Sequence, residues 1–196
     1  QAGVIPEMTG AFLHRAAMEL QVDPSALASA TAANGVSVPA YLAQVRKSLD
    51  APEHAQYLHW GATSQDILDT ALMLRLKQAF GQLQEKLTQH LKNLSQLSDK
   101  YAESPMPART WGQHATPTSF GAVTAAWGHP LLALHGEMSE MRETAFWVSL
   151  SGASGTASAL GPKAPETRAA LAEALGLHDP GQSWHSDRTP VTRLAA

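Results

Sequence analysis

Two short stretches of this sequence concentrate the side chains that can do chemistry. The first is His59-Trp60-Gly61-Ala62-Thr63-Ser64-Gln65-Asp66, which sets a histidine, two adjacent hydroxyls and a carboxylate just ahead of a long helical pattern. The start of a helix leaves N–H groups without intrahelical partners and carries the positive end of the helix dipole. Hydroxyls beside such a terminus make a site for an anion, and a small carboxylate is the ligand it fits. An ordinary helix cap also accounts for Thr63, Ser64 and Asp66, with Thr63 and Asp66 at capping-box spacing. It does not account for His59-Trp60-Gly61 in front of them.

The second stretch is Arg109-Thr110-Trp111-Gly112-Gln113-His114-Ala115-Thr116-Pro117-Thr118-Ser119-Phe120-Gly121. Arg109 has the planar fork that pairs with a carboxylate through two hydrogen bonds. His114 is of the type that gives or takes a proton near neutral pH. A lone histidine more often bonds a neighbouring helix, and that reading stays open for His114. Two such polar clusters beside successive long helices are harder to dismiss than one.

The elements that position them are helical. Residues 65–101 contain no proline and one glycine, Gly81, and their apolar residues recur at Leu72, Leu76, Ala79, Leu83, Leu87, Leu91, Leu94, Leu97 and Tyr101. Those steps of three and four describe one helical face. At 1.5 Å per residue the helix spans roughly 55 Å, the length expected of a bundle or an oligomer core. Pro105-Met106-Pro107 ends it. Thr116-Pro117 predicts a new start, with threonine as cap and proline at the first position, and a second long helix to about Leu150. Pro130 should kink that helix.

Residues 1–50 predict short helices, one opened by Asp23-Pro24-Ser25 and broken at Asn34-Gly35, the next over 36–49. Residues 151–162 are small, polar and glycine-rich. As a phosphate loop they fail, because no strand precedes them and no Gly-Lys-Ser/Thr follows; packing between helices is the expected role. A short amphipathic helix over 166–175 closes at Gly176, and a loop with Trp184-His185-Ser186-Asp187-Arg188 follows. No alternating strand pattern of useful length occurs. The expected fold class is all-α: a small helical N-terminal domain over 1–62 and a long-helix bundle over 63–196, incomplete as it stands.

Composition narrows the function classes. The 196 residues are 44% hydrophobic and 16% charged with net charge −3. That balance offers no basic footprint for nucleic acid or an anionic membrane surface, and no apolar run reaches the length of a membrane span. The absence of cysteine excludes thiol chemistry and fits a cytoplasmic location. The nine histidines form no His-x-x-x-His pair beside a carboxylate, so no metal site is expected. The sequence opens on Gln1-Ala2-Gly3 and closes on Arg193-Leu194-Ala195-Ala196, like a helix cut in its first turn. A piece of a longer protein is expected; a processed or tagged complete domain is the alternative.

The chain resembles the fumarase/aspartase superfamily. Its members carry a Thr-Ser-x-Asp turn, here Thr63-Ser64-Gln65-Asp66, and an Arg-Thr-x-x-Gln-x-Ala-x-Pro-x-Thr-x-x-Gly segment, matched here from Arg109 to Pro117 and continued to Gly121 with Ser119 and Phe120 inside it. The resemblance covers nearly the whole chain. It implies a homotetramer around a central bundle of long helices, with each active site assembled from three subunits. It also implies anti addition or elimination beside a carboxylate through a resonance-stabilised carbanion. The superfamily's flexible Gly-Ser-Ser-x-Met-Pro-x-Lys-x-Asn loop, whose serine is the usual candidate for proton transfer at carbon, does not occur here. Ser151-Gly152-Ala153-Ser154-Gly155 lacks its continuation, so the chain is expected to be catalytically incomplete by itself.

Within the superfamily, adenylosuccinate lyases and fumarases typically have histidine directly after Arg-Thr, where this chain has Trp111. Adenylosuccinate lyases also tend to carry a His-Asp pair where Asn34-Gly35 stands. The Gly-Ala-Thr-Ser-Gln-Asp wording, Arg-Thr-Trp and Trp184-His185-x-x-Arg188 instead resemble the cycloisomerase branch that acts on 3-carboxy-cis,cis-muconate in protocatechuate catabolism. Chemistry agrees with that branch. An amine or hydroxide leaving group gains much from protonation in the transition state. A carboxylate that closes or opens a lactone, with a pKa of about 4, leaves without a proton. The acid histidine can then give way to a shape-defining tryptophan.

The implied roles follow. Thr63 and Ser64, with the helix terminus, would hold a substrate carboxylate and favour its doubly negative aci form. His59 and Arg188 would contact other carboxylates, and Thr110 and Gln113 would orient the substrate. His114 is a candidate proton donor or ligand contact. Arg109 is either a substrate contact or a structural arginine. Another superfamily lyase, of adenylosuccinate or argininosuccinate type, is the alternative enzyme, and a non-catalytic helical scaffold is the alternative class.

Overall fold

The computed structural model describes residues 2–195. They form two compact units, one of residues up to Arg75 together with those from Phe146 onward, the other of Leu76–Ala145.

The first unit begins with α1 (Glu7–Glu19), a 3-10 turn (Pro24–Leu27), α2 (Ala28–Asn34), α3 (Val38–Leu49) and the single turn α4 (Pro52–Ala55). The local signals act as expected. The Asp23 carboxylate accepts from the Ser25 N–H, and Gly35 ends α2 in the left-handed conformation, φ 73°, which glycine adopts without steric cost. After α4 the chain turns through residues 56–63 and enters α5 (Ser64–Lys100), a helix of 37 residues whose first turns belong to this unit. The unit resumes at Phe146 with a non-helical run in which Phe146, Val148, Ser149, Leu150 and Ser151 are all buried. Buried backbone of that kind must find partners. Val148 N–H donates to the His178 carbonyl and His178 N–H to that of Phe146, while Ser149 N–H donates to Thr70 Oγ1. A 3-10 turn (Ser158–Lys163), α7 (Ala164–Leu175), closed by left-handed Gly176, and α8 (Thr189–Ala195) complete it. Leu150, Ala157, Leu160 and Ala164 form a core cluster on which Val4, Ala62 and Leu171 pack.

The second unit holds the rest of α5, an antiparallel hairpin of β1 (Pro105–Thr110) and β2 (Gln113–Ser119), and α6 (Phe120–Thr144). The two helices are joined by polar contacts: Gln84 Nε2 donates to Ser139 Oγ at 2.9 Å and Thr88 Oγ1 lies 3.0 Å from His135 Nε2. At Gly121 the backbones come so close that a Cβ would lie 2.5 Å from the Ser98 carbonyl oxygen.

The architecture is all-α as expected, apart from this hairpin. Residues 113–119 are strand rather than the opening of a helix. Thr116 and Pro117 pair into β2, and Ser119 is the residue that caps α6, its hydroxyl accepting from Ala122 N–H. The second long helix ends at Thr144, short of the expected Leu150, because the chain after it is drawn into the buried run of the first unit. α6 runs on through Pro130. No helix among the described residues is long and apolar enough to cross a membrane.

Candidate active site

The turn at residues 59–66 is held from below by Asp66. Its carboxylate is buried, 1% exposed, in the first turn of α5. Oδ2 accepts the Thr63 N–H at 3.0 Å, the return half of the predicted capping box, and the Gly152 N–H at 2.9 Å. Oδ1 accepts from the Ser149 hydroxyl at 2.8 Å, the Ser151 N–H at 2.9 Å and His185 Nε2 at 2.8 Å. Burial pushes this carboxyl up, but the hydrogen bonds from Thr63, His185, Ser151 and Ser149 outweigh it and hold it below the ordinary carboxylate range. The result is an ionised group at the positive end of the helix dipole.

The glycine-rich stretch thus has a role that the sequence reading did not assign. Gly152, in the left-handed region at φ 70°, turns two successive N–H groups toward one carboxylate, as anion-binding nests do. The anion it cradles is Asp66. Gly61, at φ 72°, seats the turn on the core: a Cβ there would lie 2.5 Å from Leu160 Cδ2.

Above Asp66 lie the first N–H groups of α5. The Ile67 N–H reaches back to the Thr63 carbonyl at 3.4 Å, so the N–H groups of Ser64, Gln65 and Asp66 precede the first intrahelical bond. Thr63 and Ser64 are half-buried, and among the described residues neither hydroxyl has a hydrogen-bonding partner. His59 stands in the left-handed region at φ 68°, and its Nε2 is buried without a partner. Histidine is among the residues that tolerate this conformation, and an unpaired buried nitrogen costs about 1–3 kcal/mol.

Arg188 is already engaged. It grips Asp69, one turn beyond Asp66, with bonds of 2.7 and 2.9 Å, and its guanidinium lies over the Trp184 ring at 5.2 Å. Two of its five N–H donors are thus committed to Asp69. Trp184 is itself buried and donates from its indole to the Val148 carbonyl.

Serine, histidine and aspartate meet here, but not as a nucleophilic relay. Ser149 Oγ lies 3.1 Å and Asp66 Oδ1 2.8 Å from the same nitrogen, Nε2 of His185. A relay needs serine on one ring nitrogen and aspartate on the other.

The other predicted residues lie in the second unit. Arg109 and Thr110 end β1 and pair with His114 and Gln113 of β2, and all four side chains are exposed. Between them Trp111 and Gly112 form the hairpin tip, both left-handed at φ 49° and 73°.

Comparison with known proteins defines the class. A family model described as a lyase matches residues 7–194, and the chain belongs to that lyase family, with the long-helix fold of the fumarase/aspartase type. Among individual relatives, it is 35% identical to a 3-carboxy-cis,cis-muconate cycloisomerase of Pseudomonas aeruginosa, over 100% of this chain and 43% of that protein. The solved 3-carboxy-cis,cis-muconate lactonizing enzyme of Pseudomonas putida superposes with a TM-score of 0.92 at 36% identity, covering 99% of this chain and 44% of the other. The beta-carboxy-cis,cis-muconate cycloisomerase of Acinetobacter calcoaceticus gives 0.93 at 30% identity, covering 100% and 46%. The chain therefore spans less than half the length of these relatives.

Proposed function

We propose that the intact protein is a cycloisomerase interconverting 3-carboxy-cis,cis-muconate and its lactone, and that this chain supplies the carboxylate-binding part of its site. The observation that carries the reading is the pair of uncommitted hydroxyls, Thr63 and Ser64, at the open start of a long helix whose position Asp66 fixes. A substrate carboxylate seated there would receive hydroxyl and backbone donors together. As the neighbouring carbon gains charge, the same donors stabilise the doubly negative aci-carboxylate, since they are already oriented and need no reorganisation. The group that adds or leaves is the substrate's own carboxylate, which needs no acid, and Trp111 in place of an acid histidine fits that requirement.

In this reading His59 meets a second carboxylate, using its unpaired nitrogen, and Arg188 uses its remaining donors for another. Thr110, Gln113 and Arg109, with His114 as proton donor or ligand contact, act from the hairpin. The reaction needs no cofactor, and the setting is aromatic catabolism in the cytoplasm. A homotetramer with active sites shared between three subunits would use the exposed apolar residues Leu83, Trp127, Leu132 and Leu134 of the long helices.

The test follows ultraviolet absorbance of carboxymuconate and of adenylosuccinate with the intact protein. Turnover of carboxymuconate is expected; turnover of adenylosuccinate alone would overturn the assignment.

A further inference from the structure

His185 is not needed to satisfy Asp66. An ionised carboxylate offers about four acceptor sites, and the N–H groups of Thr63, Ser151 and Gly152 with the Ser149 hydroxyl fill them. His185 Nε2, at 2.8 Å from Oδ1, is a fifth donor. It also comes from elsewhere. Ser149, Ser151 and Gly152 belong to one continuous run and so approach the carboxylate from one piece of backbone, whereas His185 reaches it from the loop before α8. That loop is anchored on either side of His185, by buried Trp184 on the Val148 carbonyl and by Arg188 on Asp69. Its imidazole is therefore a fixed post and not a mobile surface group.

The plane of the Asp66 carboxylate decides where Oδ2 points, and Oδ2 is what holds the Thr63 N–H. A donor that pins Oδ1 from a separate segment adds a restraint on that plane independent of the 149–152 run. It thereby fixes the Thr63–Ser64 backbone to the tolerance that hydroxyl recognition of an anion demands.

We propose that His185 is a positioning residue for the substrate carboxylate: acting through Asp66, it sets the Thr63–Ser64 turn without itself touching substrate. This rests on the carboxylate-binding role proposed for that turn.

The test compares His185→Leu, which removes the donor, with His185→Gln, whose amide nitrogen falls where Nε2 lies. His185→Asn stays polar but stops one bond short of Oδ1, and stands in for the leucine variant where that one fails to fold. In the intact protein, His185→Leu or His185→Asn raises KM for carboxymuconate about tenfold, the worth of one charge-assisted hydrogen bond, with kcat within about threefold. His185→Gln restores KM. Hydrogen exchange at the Thr63 amide gives a readout independent of the substrate: protection falls about tenfold in the leucine or asparagine variant and returns with glutamine, while the Met73 amide on the same helix is unchanged. An unaltered KM and an unaltered Thr63 amide, or a glutamine variant no better than leucine, overturns the proposal. If the wild type does not turn over carboxymuconate, the functional reading falls, and the exchange experiment alone decides the role of His185.

Discussion

Arg188 and Asp69, 119 residues apart in sequence, meet as a bidentate ion pair in which Nη1 reaches Oδ2 at 2.7 Å and Nη2 reaches Oδ1 at 2.9 Å. The two ends differ in environment: the carboxylate is 3% exposed and the guanidinium 40%. The hydrogen bonds to Asp69 raise the Arg188 pKa further above its already high value, against the opposing effect of burial. A lysine can replace the charge but not the fork. Arg188→Lys should therefore cost about 1 kcal/mol, while Arg188→Met, which leaves Asp69 buried and unpaired, should cost about 2–3 kcal/mol once the exposure of the arginine is allowed for. Urea denaturation at neutral pH measures both. Equal stabilities for the two variants would show that the geometry of the pair is irrelevant.

Asp66→Asn tests the carboxylate beneath the turn. An amide keeps one acceptor oxygen and turns an NH2 toward donors that were bonded to the other, so the cost should be about 3 kcal/mol. The loss depends on pH in a defined direction. The folded-state pKa of Asp66 is lowered, so its stabilisation is complete above the unfolded-state value of about 4 and disappears as pH falls through the lower folded-state value. The gap between the urea midpoints of wild type and Asp66→Asn should narrow progressively as pH falls below about 4. A gap that does not narrow on acidification would contradict this account.

Gly61→Ala should destabilise by about 2–3 kcal/mol, because the new methyl meets buried Leu160 at 2.5 Å and the backbone stays left-handed. Shortening the partner makes room. In the double variant Gly61→Ala/Leu160→Ala the two losses should sum to less than their separate values, with a coupling of about 1 kcal/mol from thermal or urea unfolding. Strict additivity would mean that the turn does not rest on Leu160.

How much of this was legible follows from the range of each interaction. The 37-residue α5 was read to within one residue at each end, because its apolar spacing and the two flanking proline and cap signals are local. The same holds for Asp23, Gly35 and Gly176. The hairpin escaped because its strands bury almost nothing: exposed proline, threonine and arginine leave no alternation to read, and its turn is Trp-Gly where Asn-Gly would have announced it. The Thr63 side of the Asp66 network showed as a capping box. Its other partners lie 83 to 119 residues away, and pairings at that separation leave no periodic mark. The glycine-rich loop lacks the sequence marks of a phosphate site, yet nothing in its sequence says that it wraps an internal carboxylate.

Thr63→Val separates the two jobs of the turn. The backbone N–H that Asp66 accepts is retained and the side chain keeps its shape, so only the free hydroxyl is lost. Melting temperature should stay within about 2 °C, because no hydrogen bond within the chain is lost, while kcat/KM for carboxymuconate falls about a hundredfold, the usual cost of one preorganised donor. Full activity in this variant would remove Thr63 from the site.

The hairpin tip offers the sharpest trade between stability and function. Trp111 is 99% exposed and held at φ 49°, followed by Gly112 at φ 73°. Two successive left-handed residues make the type I′ turn that joins tightly paired strands, a turn favoured by asparagine or aspartate in the first position. A tryptophan there sacrifices about 1 kcal/mol of backbone energy and buries none of its ring in return. Stability alone gives no reason for it. Trp111→Asn should therefore stabilise the folded chain by about 0.5–1 kcal/mol, read as a higher urea midpoint. In the intact protein the same change should lower kcat/KM for carboxymuconate at least tenfold, because it empties the place where related lyases carry an acid and this chain carries a bulky ring that is no acid near neutral pH. Trp111→His is the complementary variant. It restores an acid that a carboxylate leaving group does not need, so it should recover little of the lost activity. If histidine performs as well as tryptophan, the ring acts through general acid chemistry or not at all, and the argument from leaving-group basicity fails.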